Sequence, residues 1–257
     1  MRDVLARANR DVLARFAGTR TVLAFDFDGT LAPIVPDPDR AAMRSSTRRL
    51  LQGVAKRYPC VVISGRARGD VGRRLRGVAL AGVVGNHGLE PQPATAGARR
   101  EVPQWVPVLE RRLGGIPGVV IEDKGLSLAV HYRAARRKKE ARALVLDAAA
   151  GLGDVRLVGG KQVLNVLPAG APGKGQALER ARTRLGCDTA VYVGDDETDE
   201  DVFALDQPGR LLGIRVGRRR DSAAAYFIRT QAEIDVLLRS FLALASSAGR
   251  VDRSRRI

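Results

Sequence analysis

Two aspartates lie two residues apart, directly after a short apolar segment near the N-terminus. Residues 22–25 are Val-Leu-Ala-Phe, and the chain continues with Asp26, Phe27 and Asp28. The apolar run predicts a strand that is buried on both faces, as in a parallel sheet. Side chains at i and i+2 point to the same side of a strand, so both carboxylates can face one cavity. They repel each other unless a cation or a proton occupies that cavity; an Asp-Gly turn with both acids in water is the simpler alternative.

Polar residues also follow two further apolar segments that predict buried strands. Residues 60–63 lead into Ser64-Gly65-Arg66, and residues 189–194 lead into Asp195, Asp196 and Asp199. In open α/β sheets the ligand crevice lies beyond the carboxyl ends of the strands. A serine hydroxyl there can bind a phosphate oxygen, and clustered carboxylates suit Mg²⁺. A helix cap at Ser64 and an acidic helix start at residue 195 are the simpler alternatives.

Lys174 follows Gly173 at the predicted beginning of a helix that extends to about residue 185. The helix dipole and the ammonium group both favour an anion at this position. A surface lysine is the alternative.

The four segments, in their order along the chain, resemble the motifs of the haloacid-dehalogenase-type phosphotransferases. The resemblance implies that Asp26 is a nucleophile and Asp28 an acid/base. It also implies that Lys174 neutralises the nucleophile and the phosphate. Mg²⁺ is then expected as the cofactor, held by Asp26, Asp28, Asp195 and Asp199. The implied phosphate-binding residues are Gly29, Thr30, Ser64, Gly65 and Lys174.

The order of predicted elements indicates an α/β protein with a Rossmann-like parallel-sheet core and an inserted α+β cap domain. Residues 91–97 and 168–173 have the composition of linkers, and the predicted pattern between them is β-β-α-β-β. We therefore expect residues 1–91 and 170–257 to form the core and residues 92–169 to form the cap. A cap in this position resembles the C2 class of the family.

Two segments of the predicted cap resemble signatures of the trehalose-6-phosphate phosphatases. They are residues 121–133, from Ile121 to Arg133, and residues 159–165, Gly-Gly-Lys-Gln-Val-Leu-Asn. Residues 85–90, which include His87, resemble the sugar-phosphatase branch of the larger family. The residues that these resemblances place at the sugar-phosphate site are Arg66, His87, Glu122, Lys124, His131, Arg133, Lys161 and Asn165. The family usually has Glu at position 165 and often a basic residue at position 167, where this chain has Asn165 and Leu167.

The formal net charge of +16 is compatible with nucleic acid, a membrane surface or anionic metabolites as partners. Aromatic residues make up only 4% of the chain and do not alternate with the basic runs, so we do not expect a nucleic-acid partner. No apolar run reaches the length of a membrane helix, and no membrane association is expected. The two cysteines suit a reducing compartment, so we expect a cytoplasmic protein.

Three functions follow as hypotheses. The first is Mg²⁺-dependent hydrolysis of trehalose 6-phosphate through an aspartyl-phosphate, with a trehalose-6-phosphate synthase acting upstream. The second is the same chemistry on another sugar phosphate, such as a glycosyl-glycerate or mannosyl phosphate, which the departure at Asn165 favours. The third is a basic binding protein without catalytic activity.

Overall fold

The protein is described from a computed structural model that covers residues 1–91, 95–205 and 207–254, with the backbone alone at residues 95–96 and 247–254. The described strands are β1 (Arg2–Asp3), β2 (Thr21–Phe25), β3 (Cys60–Ile63), β4 (Gly82–Val84), β5 (Val120–Asp123), β6 (Leu128–His131), β7 (Val155–Gly160), β8 (Val163–Pro168), β9 (Thr189–Gly194), β10 (Leu211–Val216) and β11 (Tyr226–Ile228). The described α-helices are α1 (Arg10–Ala17), α2 (Ser45–Ala55), α3 (Arg68–Arg74), α4 (Thr95–Leu113), α5 (Lys138–Ala150), α6 (Lys174–Arg184), α7 (Glu200–Phe203) and α8 (Ile234–Ser254).

Seven strands form a parallel sheet in the order β1-β11-β10-β9-β2-β3-β4. Its central strands are apolar on both faces because helices cover both sides. Leu23 and Phe25 of β2 belong to one buried cluster with side chains of α1, α2 and α8. Val22 and Ala24, which point the other way, pack with residues of α6 and α7. The predicted Rossmann-like core is confirmed.

The second sheet is antiparallel, with the order β5-β6-β8-β7. Its four strands and α5 follow the predicted β-β-α-β-β order. Helix α4 lies against this sheet through Val102, Trp105, Leu109 and Leu113, whose spacing of three or four residues places them on one face. The cap therefore has its own apolar core, separate from the two clusters on the parallel sheet.

The predicted domain boundaries at residues 91/92 and 169/170 remain predictions. Residues 92–94, which include the first of these boundaries, lie outside the described residues. The prediction that residues 91–97 form a linker is wrong from Thr95 onward, because α4 begins there. At the N-terminus the short strand β1 pairs with β11 and precedes α1.

None of the described helices combines the length and the apolar character that crossing a membrane requires.

Leu51 and Leu144 offer a matched test of the parallel-sheet core. Leu51 on α2 is fully buried, whereas Leu144 on α5 is 49% exposed. We expect Leu51→Ala to lower the free energy of unfolding by about 2–5 kcal/mol, because a cavity adds to the lost apolar burial. Leu144→Ala should stay within about 0.5 kcal/mol of the parent. Urea unfolding followed by far-ultraviolet circular dichroism measures both; equal effects would contradict the assigned core.

Candidate active site

Three neighbouring strands bring the sequence-predicted acids and the serine to one edge of the parallel sheet. The strands β9, β2 and β3 are adjacent and parallel, and they end just before Asp195, Asp26 and Ser64. Parallel strands place their carboxyl ends at the same edge, so this convergence follows from the strand order. All three side chains are buried.

Lys174, at the first position of α6, lies between two carboxylates at this edge. Its Nζ donates to Asp26 Oδ1 at 2.9 Å and to Asp199 Oδ1 at 2.8 Å. Burial alone would lower the pKa of Lys174, but Asp199 and Asp26 outweigh that effect and raise it above its ordinary value. The ammonium group therefore remains charged at neutral pH and is available to neutralise an anion beside Asp26.

Asp199 uses both of its oxygens to hold the site together. Its Oδ1 also accepts the hydroxyl of Tyr192 at 2.6 Å, and its Oδ2 accepts the backbone N–H groups of Asp195 and Asp196, each at 2.8 Å. The side chain is completely buried. Its hydrogen bonds fix the loop that carries Asp195, a positioning role within the site.

Asp195 is held close to β2 by contacts on several sides. Its Oδ1 accepts Thr30 Oγ1 at 3.4 Å, and its Oδ2 accepts Lys161 Nζ of the β7–β8 turn at 2.7 Å. Burial raises the pKa of Asp195 to about 6, although Lys161 opposes the shift. Gly29 has a φ of 83°, and a Cβ there would overlap the Asp195 carboxylate. Glycine thus permits both the backbone conformation and the close approach.

The donor set fits a divalent metal ion. Carboxylate oxygens of Asp26, Asp195 and Asp199 all lie within 4.8 Å of one another, and all three residues are buried. Burial raises the pKa of Asp26 as well, with Lys174 opposing it. Three buried carboxylates need compensating positive charge, and hard oxygen donors are the ligands that Mg²⁺ prefers. Asp26 and Asp195 are the better placed ligands, since each oxygen of Asp199 already accepts two hydrogen bonds, against one for each oxygen of Asp195.

Asp28 forms an ion pair with Arg66, apart from the cluster that the other three acids form. Arg66 Nε donates to Asp28 Oδ2 at 2.6 Å, and its Nη2 donates to Asp28 Oδ1 at 2.8 Å. The guanidinium group thereby binds the carboxylate in a bidentate manner, through two parallel hydrogen bonds. Arg66, predicted to bind substrate, is placed by the structure on the predicted acid/base.

His87 lies against the Ser64-Gly65 turn. Its ring is 6% exposed and packs so closely on Gly65 that a Cβ at that position would overlap the ring. Its backbone N–H donates to Ser64 O at 3.0 Å. Burial, together with Lys124 and Lys174, lowers the pKa of His87 well below its ordinary value, so the imidazole is neutral. Neither ring nitrogen has a hydrogen-bond partner among the residues that the structure describes.

Three of the site residues predicted in the cap, Lys124, Lys161 and Asn165, lie at this edge. Lys124 Nζ donates to Gly65 O at 3.2 Å and to Asn165 Oδ1 at 3.4 Å, and Asn165 is buried. Lys161 reaches Asp195, as described above. These three side chains join the second sheet to this edge of the first.

Glu122, His131 and Arg133 have partners of their own. Glu122 Oε2 and His131 Nε2 pair at 2.8 Å, and this contact lowers the pKa of Glu122. Arg133 donates to Val35 O at 3.2 Å and to Lys161 O at 3.4 Å. Arg133 therefore connects the cap to the loop after β2, and its hydrogen bonds within the described part of the chain do not reach Asp26 or Asp195.

The fold and the geometry agree with a comparison against protein families. The model of the trehalose-phosphatase family matches residues 24–227, which include the antiparallel sheet, most of the parallel sheet and every acid of the site. The chain belongs to the trehalose-phosphatase family.

Named proteins of the trehalose-phosphatase family are similar to this chain over most of its length. A rice protein described as probable trehalose-phosphate phosphatase 3 (Oryza sativa subsp. japonica) is 33% identical over 265 residues, which cover 90% of this chain and 72% of the relative. The trehalose-phosphate phosphatase of Mycolicibacterium paratuberculosis is 37% identical over 216 residues, which cover 78% of this chain and 55% of the relative. These names confirm, at the level of the family, the predicted class of phosphoric monoester hydrolase.

Solved structures support the fold of the family member. The C-terminal domain of the C. albicans trehalose-6-phosphate phosphatase has a TM-score of 0.77 at 22% identity, covering 93% of this chain and 97% of that one. A sugar phosphatase of HAD subclass IIB has a TM-score of 0.56 at 15% identity, covering 86% and 98%. The predicted haloacid-dehalogenase-like fold with a cap is confirmed.

Two residues of this site, Tyr192 and Arg215, were not predicted from the sequence. Tyr192 lies within an apolar strand, where an aromatic residue gives no sign of a polar partner. Arg215 is buried in β10 and donates to the backbone oxygens of Asp195 and Asp196 and to Glu200 Oε1. A charged residue inside the run Leu-Leu-Gly-Ile-Arg-Val was a signal that could have revealed Arg215.

The hydroxyl of Tyr192 gives a test of the site's internal support. Tyr192→Phe removes the 2.6 Å hydrogen bond to Asp199 and leaves a buried carboxylate with one donor fewer. We expect the free energy of unfolding to fall by about 1–3 kcal/mol. Tyr58→Phe is the control, because the Tyr58 hydroxyl makes a longer bond of 3.4 Å to Phe241 O, and its effect should be smaller. Urea unfolding compares the two; a larger loss at Tyr58 would contradict the assignment.

Proposed function

We propose that this protein hydrolyses trehalose 6-phosphate to trehalose and phosphate, with Mg²⁺ as cofactor and with an aspartyl-phosphate at Asp26 as intermediate. The observation that carries the proposal is the convergence of Asp26, Lys174 and Asp195 at one buried sheet edge. The match of most of the chain to the trehalose-phosphatase family supports the sugar phosphate as substrate.

Asp26 is the nucleophile in this proposal. One carboxylate oxygen attacks phosphorus, an Asp–O–P bond forms, and the bond from phosphorus to the sugar oxygen breaks. Lys174, 2.9 Å from Asp26, reduces the repulsion between the carboxylate and the phosphate dianion. Thr30, Ser64 and the backbone around Gly29 and Gly65 offer hydrogen-bond donors for the phosphoryl oxygens.

Asp28 transfers the protons. In its acid form it gives a proton to the departing sugar oxygen, so the leaving group departs as an alcohol. The resulting carboxylate then takes a proton from the water that attacks the phosphorus of the aspartyl-phosphate. Phosphate leaves, Asp26 is regenerated, and Asp28 ends in the acid form in which it began.

Mg²⁺ would be held by Asp26 and Asp195, with Asp28 contributing through its backbone carbonyl and Asp199 at the edge of the set. When bound, it supplies positive charge that offsets the repulsion between carboxylate and phosphate. The buried cluster of acids supports this role through its donor chemistry.

The cap, residues 92–169 in this proposal, covers the site and binds the sugar. Lys124 and Asn165 offer hydrogen bonds beside Gly65, and the neutral imidazole of His87 offers one donor and one acceptor. Glu122, His131 and Arg133 support the cap surface around them. A closed cap excludes bulk water from the first step. A trehalose-6-phosphate synthase would supply the substrate.

Another sugar phosphate is the second candidate substrate. Its support is Asn165, which lacks the charge of a glutamate and one methylene of its reach. Asn165 Oδ1 lies 3.4 Å from Lys124 Nζ, and its Nδ2 donates to Val158 O at 3.3 Å, so its reach toward a ligand is limited. This alternative changes the sugar and leaves the phosphoryl transfer unchanged.

A substrate panel tests the proposal. We expect Mg²⁺-dependent phosphate release to be fastest from trehalose 6-phosphate among monosaccharide, mannosyl and glycosyl-glycerate phosphates. Asp26→Asn should lower turnover by at least about 10⁴-fold, because an amide is not a nucleophile, while leaving the fold intact by far-ultraviolet circular dichroism. Preference for another sugar would move the assignment to that substrate. Retained turnover in Asp26→Asn would refute the covalent mechanism.

A further inference from the structure

The guanidinium group of Arg66 binds both Asp28 and a second acid, Asp70. Asp70 belongs to none of the sequence motifs and has no part in the proposed mechanism. Arg66 Nη1 donates to Asp70 Oδ2 at 2.9 Å, while its Nε and Nη2 hold Asp28 at 2.6 and 2.8 Å. Arg66 Nη2 also donates to Pro38 O at 2.8 Å. Four donations from one guanidinium group leave little capacity for a substrate oxygen.

Asp70 is itself fixed by the helix that carries it. It lies in the first turn of α3, and its Oδ2 accepts Arg74 Nε at 3.1 Å one helical turn further on. Arg74 in turn donates to Ala41 O at 2.7 Å, on the loop after β2. The side chain of Asp70 is 25% exposed, against 65% for Arg73, which contacts its other oxygen. Burial raises the pKa of Asp70, but Arg74 and Arg66 outweigh it and lower the pKa, so the carboxylate is ionised.

This arrangement sets the plane of the guanidinium group. An arginine that pairs only with Asp28 can rotate about its last bonds and approach the carboxylate from several directions. A second carboxylate on Nη1 leaves the Nε–Nη2 edge facing Asp28, and the Phe27 ring, 5.9 Å from the guanidinium carbon, limits movement on one side. The orientation of Asp28 therefore depends on Asp70 through Arg66.

We propose that Asp70 and Arg66 are positioning residues for the acid/base Asp28: they hold its carboxyl group where it can give a proton to the departing sugar oxygen. The proposal rests on the proposed function, since it needs Asp28 to act as the acid. Proton transfer is effective only within hydrogen-bond reach of the leaving oxygen, so a misdirected carboxyl group slows the chemical step without weakening substrate binding.

The first test compares kcat and KM for the sugar phosphate that the panel selects. Asp70→Ala should lower kcat by about 10- to 100-fold with KM within about twofold, because the acid is misplaced while the binding groups remain. Asp70→Glu keeps the carboxylate and should recover much of the loss. Arg66→Lys, which cannot donate to both acids in this geometry, should reproduce the loss. Arg73→Ala is the control: it removes another partner of Asp70 without touching Arg66, and kcat should stay within about twofold.

A second measurement separates positioning of the acid from general damage to the site. The first turnover of 4-nitrophenyl phosphate releases a leaving group that needs no proton, so its rate in Asp70→Ala should stay within about threefold of the parent. Equal losses on both substrates, or a raised KM with unchanged kcat, would overturn the proposal. So would an unchanged kcat in Asp70→Ala. A parent protein that releases phosphate from no ester refutes the proposed function, and with it this inference; the other contrary outcomes refute the inference alone.

Discussion

The buried ammonium of Lys174 is the interaction on which the rest of the site depends. It lies between Asp26 and Asp199, in a place where uncompensated carboxylates would be strongly disfavoured. Its charge opposes the rise that burial causes in the pKa of Asp26, and it fixes Asp199, which in turn holds the loop of Asp195 through two backbone N–H groups. Removing either carboxylate would leave a buried charge with one partner, so the three residues form a unit rather than a set of separate contacts.

The strand order turns this local interaction into a site for chemistry. Because β9, β2 and β3 are parallel neighbours, the proposed nucleophile Asp26, the proposed metal ligand Asp195 and Ser64 arrive at one edge from three distant parts of the chain. The antiparallel sheet then adds Lys124, Lys161 and Asn165 from the other side. These contacts between the two sheets are hydrogen bonds and an ion pair, which suits the proposed cap, since polar contacts can be replaced by water when a cap separates from a core.

The strand ends and their acids could be predicted from the sequence because each apolar run is followed at once by polar residues, and a parallel sheet leaves few places for such residues to meet. The partners of Arg66 could not, since the motif fixes its position in the chain but not the direction in which its guanidinium group points. Tyr192 gave no signal, because its hydroxyl is the only polar atom of a side chain otherwise suited to a buried strand. Strands β1 and β11 are too short, at two and three residues, for any periodicity to reveal them, and pairing with neighbouring strands defines them.

The central claim is that Asp26 carries the phosphoryl group during turnover. The most direct measurement is to quench the protein during turnover of trehalose 6-phosphate with Mg²⁺, reduce it with borohydride, and sequence its peptides by mass spectrometry. Borohydride converts an aspartyl-phosphate to homoserine, so the account predicts homoserine at position 26 and unmodified aspartate at position 28. Steady phosphate release with homoserine at another aspartate, or at none, would contradict it.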